Sequence, residues 1–339
     1  MSWGLRPVSR LLLLGVCLAL GALAPTVAQE QQKEKPKYTE AELTAARKVE
    51  SAKDAQARLT AAGEFLKKYP KSELRPQVAQ LVAQKIDEVT DPAQVITLAD
   101  SFRAIFNQPD EAELLAPNLL SAYLRANRVE DAYKLAAAGL DKMPNPVGAM
   151  IELTNAANAQ VRQQDTQYVP QGIQYAARAI ELIEADKKPA AITDATWAEY
   201  KTKQLPQLYQ VQGFLLLIGG DTETAKTKLA KSAALNPADP QTYWILGRVR
   251  DNDYQEIAGK YKTSAAGPAQ DALLKQAQAQ LDQVIDDYAH VVALAEGKPQ
   301  YKEIHDQALQ SLQSYYQYRH NGSTNGLKEL IEKYKRPAQ

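Results

Sequence analysis

The segment PQLYQVQGFLLLIGGDTETAKTKLAKSAALNPADPQTYWILGRVR, residues 206–250, governs the reading of the whole chain, because here the sequence repeats itself. Pro206, Tyr209 and Gly213 return as Pro240, Tyr243 and Gly247, each 34 residues later. A fixed period of that length in an alanine- and leucine-rich stretch is the spacing of stacked helical hairpins. The spacing predicts one helix from Pro206 to about Ile218, closed by Gly219-Gly220, since glycine accepts the positive φ of a helix C-terminus. Asp221 then caps a second helix, Thr222 to Ala234, its carboxylate set against the free N–H groups of the first turn. Gly213 on the first helix and Ala225 on the second let the backbones approach, and Leu216, Leu229 and Ala233 fill the seam. Asp239-Pro240, a capping residue followed by proline at the first helical position, opens the next unit.

Tyr209, Gly213, Ala225 and Pro237, with Gly220-Asp221 at the inter-helix turn, resemble the tetratricopeptide-repeat family. Tyr243, Leu246 and Gly247 match it again. Tyr123, Ala132 and Pro144, with Asn127-Arg128 at the turn, mark a further unit over 113–146. Gln212 departs from the pattern, which has a large apolar residue there. Asp253-Tyr254 supplies the turn of the unit starting at Pro240 only if its loop lost about two residues against the repeat. The resemblance implies an all-α, right-handed α-solenoid of helix-turn-helix repeats over 39–262, exported and of the bacterial type. It implies a non-enzymatic scaffold that holds a protein or peptide partner in a concave groove lined by the first helix of each repeat. Carried over by position, the groove residues are Gln210 and Phe214 from one unit and Trp244, Arg248 and Asp251 from the next. Tryptophan and arginine are the side chains that most often dominate interface energetics.

The chain opens with a secretory signal: Arg6 and Arg10, then the apolar run Leu11 to Leu23, then Thr26-Val27-Ala28 before Gln29. The expected location is therefore periplasmic or secreted, after cleavage near Ala28. Cys17 is the chain's one cysteine and lies inside that run, where Leu14-Gly15-Val16 is a poor lipidation context. The mature chain would carry no disulfide and no thiolate metal site, and no transmembrane segment follows the signal. Residues 29–38 read as a disordered leader, being polar and without apolar period through Lys37.

Thr39 to Glu42 is a capping box for the first helix. Ala55, Leu59, Ala62 and Leu66 mark the second, ended by Pro70. Val78, Leu81, Val82 and Ile86 mark a third, and Asp91-Pro92 starts a fourth reaching about Phe106. Pro117 either kinks a helix or marks its start. Asn145-Pro146 starts another, which turns polar at Gln160 and gives way to a loop before Pro170. Ala176, Ile180 and Ile183 lie on the helix ending at Glu184. Asp194 is expected to cap a helix carrying Trp197 and Tyr200 that runs up to, or with a kink through, Pro206. Residues 263–339 read as a long antiparallel pair, Ala269 to about Glu296 and Tyr301 to Tyr318, closed by a short helix from Leu327 to Tyr334. Such a group suits the cap of a solenoid.

Removing Arg6 and Arg10 leaves 38 basic against 40 acidic residues, a balance that argues against nucleic acid as partner. Phosphate-loop, nucleophile-elbow and zinc-binding signatures are absent from the sequence, and no cofactor is expected. His290, His305 and His320 are evenly spaced, but on different helices or at a helix end, so no metal is expected. Asp286 and Asp287 point about 100° apart on a helix and read as a solvated face. Asn321-Gly322-Ser323 reads as a turn, and as a glycosylation sequon only in a host that uses one. Tyr315 and Tyr318 are expected to pack inward, with Tyr316 and Arg319 outside. The alternative to a protein-binding scaffold is an envelope carbohydrate- or peptidoglycan-binding protein on the same helices. A hydrolase with a site built from separated acids is a third, weaker reading.

Overall fold

The computed structural model describes residues 38–335. The expected signal, and all of the leader except Tyr38, lie outside those residues; Tyr38 is half-buried against the core rather than disordered. Among the described residues every regular element is helical. The N-terminal part holds α1 (Glu40–Ser51), α2 (Ala55–Lys68), α3 (Arg75–Asp87), α4 (Pro92–Ile105), α5 (Pro109–Glu113), α6 (Ala116–Arg125), α7 (Val129–Gly139) and α8 (Pro146–Arg162). There follow α9 (Val169–Glu184), α10 (Asp194–Glu199), α11 (Leu205–Ile218), α12 (Thr222–Leu235), α13 (Pro240–Thr263), α14 (Pro268–Ala295), α15 (Lys302–Arg319) and α16 (Leu327–Lys335).

Local chemistry sets most of the helix starts. Thr39 and Glu42 form the reciprocal box: Glu42 N–H donates to Thr39 Oγ1 at 3.2 Å and Thr39 N–H to Glu42 Oε2 at 2.7 Å. Asp54, Asp91, Asn145, Asp221 and Asp239 each accept from a first-turn N–H. Pro117 falls in the first turn of α6, so of its two readings it marks the helix start. Thr193, not Asp194, caps α10, accepting from Thr196 N–H at 3.2 Å. Between α10 and α11 the chain makes a π turn, Tyr200–Gln204, in which Leu205 N–H reaches back to Tyr200 C=O. That wider turn lets the helix run through Pro206, which has no N–H to give. α8 carries on through its polar end to Arg162, further than its composition suggested.

Most helices pack on a sequence neighbour, and α2, α4, α6, α8 and α11 also touch one after another. The first helices of successive hairpins therefore make one continuous layer. α7, α9 and α12 each lie against the hairpin partner before them and the first helix after them. The result is an all-α solenoid of helical hairpins, with one apolar core running from Val49 to Leu215. In the α11–α12 hairpin Gly220 takes φ +87° and Asp221 caps, as the repeat requires. A methyl on Gly213 would sit 2.7 Å from Leu229 Cγ and 3.2 Å from Ala225 O, so only glycine permits this crossing.

The next unit departs from its expected length. No turn forms at Asp253-Tyr254: α13 is a single helix of 24 residues. Neither residue breaks it, because Tyr254 stays buried and Asp253 pairs with Lys226 of α12 at 2.7 Å instead of capping a turn. The partner helix is α14, and Gly247 repeats the role of Gly213 against it: a methyl there would lie 2.8 Å from Tyr288 Cε1. α13 to α16 share a second apolar core built on Leu281, Val284, Tyr288, Val291 and Leu312. On α15 the buried stripe is Ala308, Leu312 and Tyr316. The tyrosine expectation holds for Tyr315, half-buried against this core, and fails for the other two: Tyr316 is inside and donates to Asn325 C=O at 2.7 Å, while Tyr318 is 71% exposed. Arg319 is half-covered and pairs with Asp282 at 2.8 Å.

Candidate functional site

Three helices, α8, α11 and α13, bring side chains to one groove of about 250 Å³. α8 supplies Asn158 and Arg162, α11 supplies Gln210, Val211 and Phe214, and α13 supplies Gln241, Trp244 and Ile245. Their positions follow from helical phase. On α11 the residues Leu208, Tyr209, Gln212, Gly213 and Leu216 are buried, with Tyr209 and Gln212 bonded to α9 and Gly213 against α12. Gln210 and Phe214, four apart, then share the opposite flank. On α13 the buried stripe of Thr242, Leu246, Gly247 and Val249 leaves Gln241 and Trp244 toward the groove.

Of the five residues expected in the groove, Gln210, Phe214 and Trp244 line it. All three are half-buried. Gln210 also ties the two units together, donating from Nε2 to Thr242 Oγ1 at 2.7 Å and to Asp239. Trp244 packs its ring at 5.9 Å from Tyr288, and the exposed Arg248 lies over it at 5.6 Å, one turn outside the lining. Asp251 is elsewhere. Its carboxylate accepts from Tyr315 Oη at 2.6 Å, Tyr288 Oη at 3.2 Å and Gln255 Nε2 at 3.2 Å, joining α13 to α14 and α15. Burial, with the Asp251 charge beside them, pushes both tyrosine hydroxyls well above their usual range, so they stay protonated as donors.

Asn158, Arg162, Val211, Gln241 and Ile245 were not among the expected residues. The signal for Gln241 and Ile245 was present, since they flank Trp244 at helical spacing. Asn158 and Arg162 sit on α8, whose C-terminal half read as polar and loop-bound, so nothing in the sequence tied them to α11.

Two polar groups lie inside the molecule where the sequence reading had none. Gln212, at the position where the repeat family has a large apolar residue, is 3% exposed. Its Nε2 donates to Ile173 C=O at 3.4 Å between α9 and α11, while its Oε1 has no hydrogen-bond partner among the described residues. Asp287 is also 3% exposed, not on a solvated face. It sits at the α13–α14 crossing against Gly247, and Arg250 Nη1 donates to both its oxygens at 2.8 Å. Burial raises its pKa to about 7, Arg250 acting against the rise and Asp286 with it.

The three histidines are stacked on tyrosines or paired with carboxylates and do not converge. His290 lies between Tyr243 at 4.1 Å and Tyr334 at 3.5 Å. His320 stacks on Tyr316 at 4.1 Å, and His305 faces Asp306 at 3.0 Å. Among the described residues no group of three histidine, aspartate or glutamate side chains is placed to hold a metal ion. No described helix is long and apolar enough to cross a membrane.

No protein-family profile matches the chain, and no curated protein does. Among solved structures, a tetratricopeptide-repeat protein of Thermus thermophilus is similar over 69% of this chain and 98% of its own, with 17% identity and a TM-score of 0.32. That likeness is too slight to carry an inference. The hairpin crossing at Gly213 and the continuous layer of first helices carry the fold by themselves.

Proposed function

We propose that the protein is an exported, non-enzymatic interaction scaffold that docks a segment of a protein partner in the groove across α8, α11 and α13. The observation that carries the reading is the groove lining: two aromatic side chains, Phe214 and Trp244, from successive units, beside amide and guanidinium groups. Half-buried aromatics near arginine are the anchors that give protein interfaces their affinity. Export rests on the N-terminal signal pattern alone. A glycan platform finds less support, because the Trp244 ring that would stack on a sugar has the Arg248 guanidinium over it.

Affinity capture from envelope extract tests the reading, with Phe214→Ala and Trp244→Ala compared singly against the unaltered chain. A hot-spot truncation of about 2 kcal/mol weakens capture roughly thirtyfold. Trp244 also touches Tyr288, so circular dichroism accompanies each sample. Gln241→Tyr, at an exposed position, blocks the groove without touching the core. Unimpaired capture by all three folded variants refutes the site.

A further inference from the structure

The charges of the three groove helices narrow the kind of segment that the scaffold proposed above would hold. α11 carries no charged residue. α8 carries one acid, Glu152, which accepts from Ser121 Oγ at 2.6 Å. On α13 the acids are Asp251, Asp253 and Glu256, and all are engaged: Asp251 by Tyr288 and Tyr315, Asp253 by Lys226 and Glu256 by Lys260. Asp239, at the head of α13, accepts from Gln241 and Thr242 N–H at 3.2 and 3.1 Å. The bases divide differently. Arg250 pairs with Asp287 and Lys260 with Glu256. Arg162 in the lining and Arg248 at the rim are exposed and have no carboxylate partner among the described residues. The remaining base, Lys262, lies at the far end of α13.

The groove helices thus have their acids engaged in hydrogen bonds or ion pairs, whereas Arg162 on α8 and Arg248 on α13 lack a carboxylate partner among the described residues. We infer that the groove takes an extended acidic peptide segment, whose central apolar side chain seats between Phe214 and Trp244 and whose flanking carboxylates meet Arg162 and Arg248. A guanidinium is suited to this, since its planar fork matches a carboxylate in two parallel hydrogen bonds. Packed helices lie about 8–10 Å apart, so crossing from α8 to α13 covers roughly 16–20 Å. At about 3.3 Å per residue that is an extended run of five or six residues. The amides of Asn158 and Gln241 along the path offer both donors and acceptors to its backbone.

Fluorescence anisotropy with the purified chain tests the inference. The probes are end-blocked, fluorescein-labelled peptides of sequence GEDAFLAEDG, GQNAFLAQNG and GKKAFLAKKG, which share the apolar centre and differ in charge. The acidic peptide is expected to bind about tenfold or more tighter than the amide one, with affinity that falls as salt is raised. The charge-reversed double variant Arg162→Glu with Arg248→Glu, at unchanged helicity, is expected to lose the acidic peptide and gain the basic one. Equal binding of all three peptides, or an unchanged preference in the double variant, overturns the acidic assignment. If Phe214→Ala still abolishes that charge-blind binding, the groove reading stands without it. Binding of none of the three peptides overturns the inference, and capture that still depends on Phe214 then shows a partner of other chemistry. Preference for a labelled oligonucleotide over the acidic peptide also overturns it.

Discussion

Replacing Arg250 by alanine is expected to destabilise the protein by an amount that depends on pH. Asp287 sits almost wholly inside the α13–α14 crossing, and Arg250 is its ion-pair partner at 2.8 Å. Removing one partner of a buried pair costs about 3–5 kcal/mol when the other remains charged. Protonation of the stranded carboxyl removes most of that penalty, leaving about 1–3 kcal/mol for the lost hydrogen bonding. The sign follows from the shift. Burial holds the folded pKa of Asp287 at about 7, above its ordinary 3.8. Between those values the folded chain binds more protons than the unfolded one, so this group's contribution to stability is present below pH 3.8 and is lost as pH rises through about 7. The full shift corresponds to on the order of 4 kcal/mol. Without Arg250 the folded pKa climbs further, and the loss extends to higher pH. His290, one turn along α14, has its pKa held down by burial and contributes the opposite slope below neutrality. Comparison with Asp287→Asn, which retains His290, separates the two. Urea midpoints at pH 5 and pH 8 are the assay. Arg250→Ala should lose more at pH 8 than at pH 5, and Asp287→Asn should flatten the pH dependence relative to the unaltered chain. An equal loss at both pH values, or an undiminished slope in Asp287→Asn, refutes the reasoning.

Four further substitutions test the packing, and a separate experiment tests the N-terminus. Gly213→Ala puts a methyl 2.7 Å from Leu229 Cγ and should lower stability by about 1–3 kcal/mol. Gly259→Ala, on α13 with nothing within 4 Å, should raise it by about 0.5–1 kcal/mol in the same thermal melts. Tyr316→Phe removes the hydrogen bond to Asn325 C=O and should cost roughly 1 kcal/mol, whereas Tyr318→Ala, at an exposed site, should fall within about 0.5 kcal/mol of zero. N-terminal sequencing of the protein recovered from the envelope should begin at Gln29; an intact Met1 start refutes the signal.

The parts of the fold that were legible in the sequence are those fixed by neighbouring residues. Caps at Thr39, Asp91, Asn145 and Asp239, and the Gly220-Asp221 turn, are local chemistry and could be read directly. The Gly213 crossing was legible because a period of 34 residues links it to Gly247. What escaped depended on contacts remote in sequence. Asp287 looked like a surface residue because the base that buries it, Arg250, is 37 residues away. Asp253 looked like a turn former, and only its pairing with Lys226 shows why α13 continues. On α15 the sequence points correctly to Tyr315 but exchanges Tyr316 and Tyr318, since at 100° per residue a short run of aromatics and polar residues leaves the edge of the buried face ambiguous until α14 is in place. At the groove, the positions carried over from the repeat resemblance point to Gln210, Phe214 and Trp244, which line one pocket. The resemblance could not show that Asp251 would be drawn away by Tyr288 and Tyr315.

Position-resolved photo-crosslinking decides whether partners dock in the groove across α8, α11 and α13. A photo-activatable side chain replaces Gln241 at the groove in one chain, and in another Thr227, exposed on α12 and turned away from the buried Ala225 and Leu229. One discrete partner is expected to be captured in envelope extract from position 241 and not from position 227, and Phe214→Ala is expected to abolish the capture. Equal capture from both positions, or capture from 227 alone, would contradict docking in the groove.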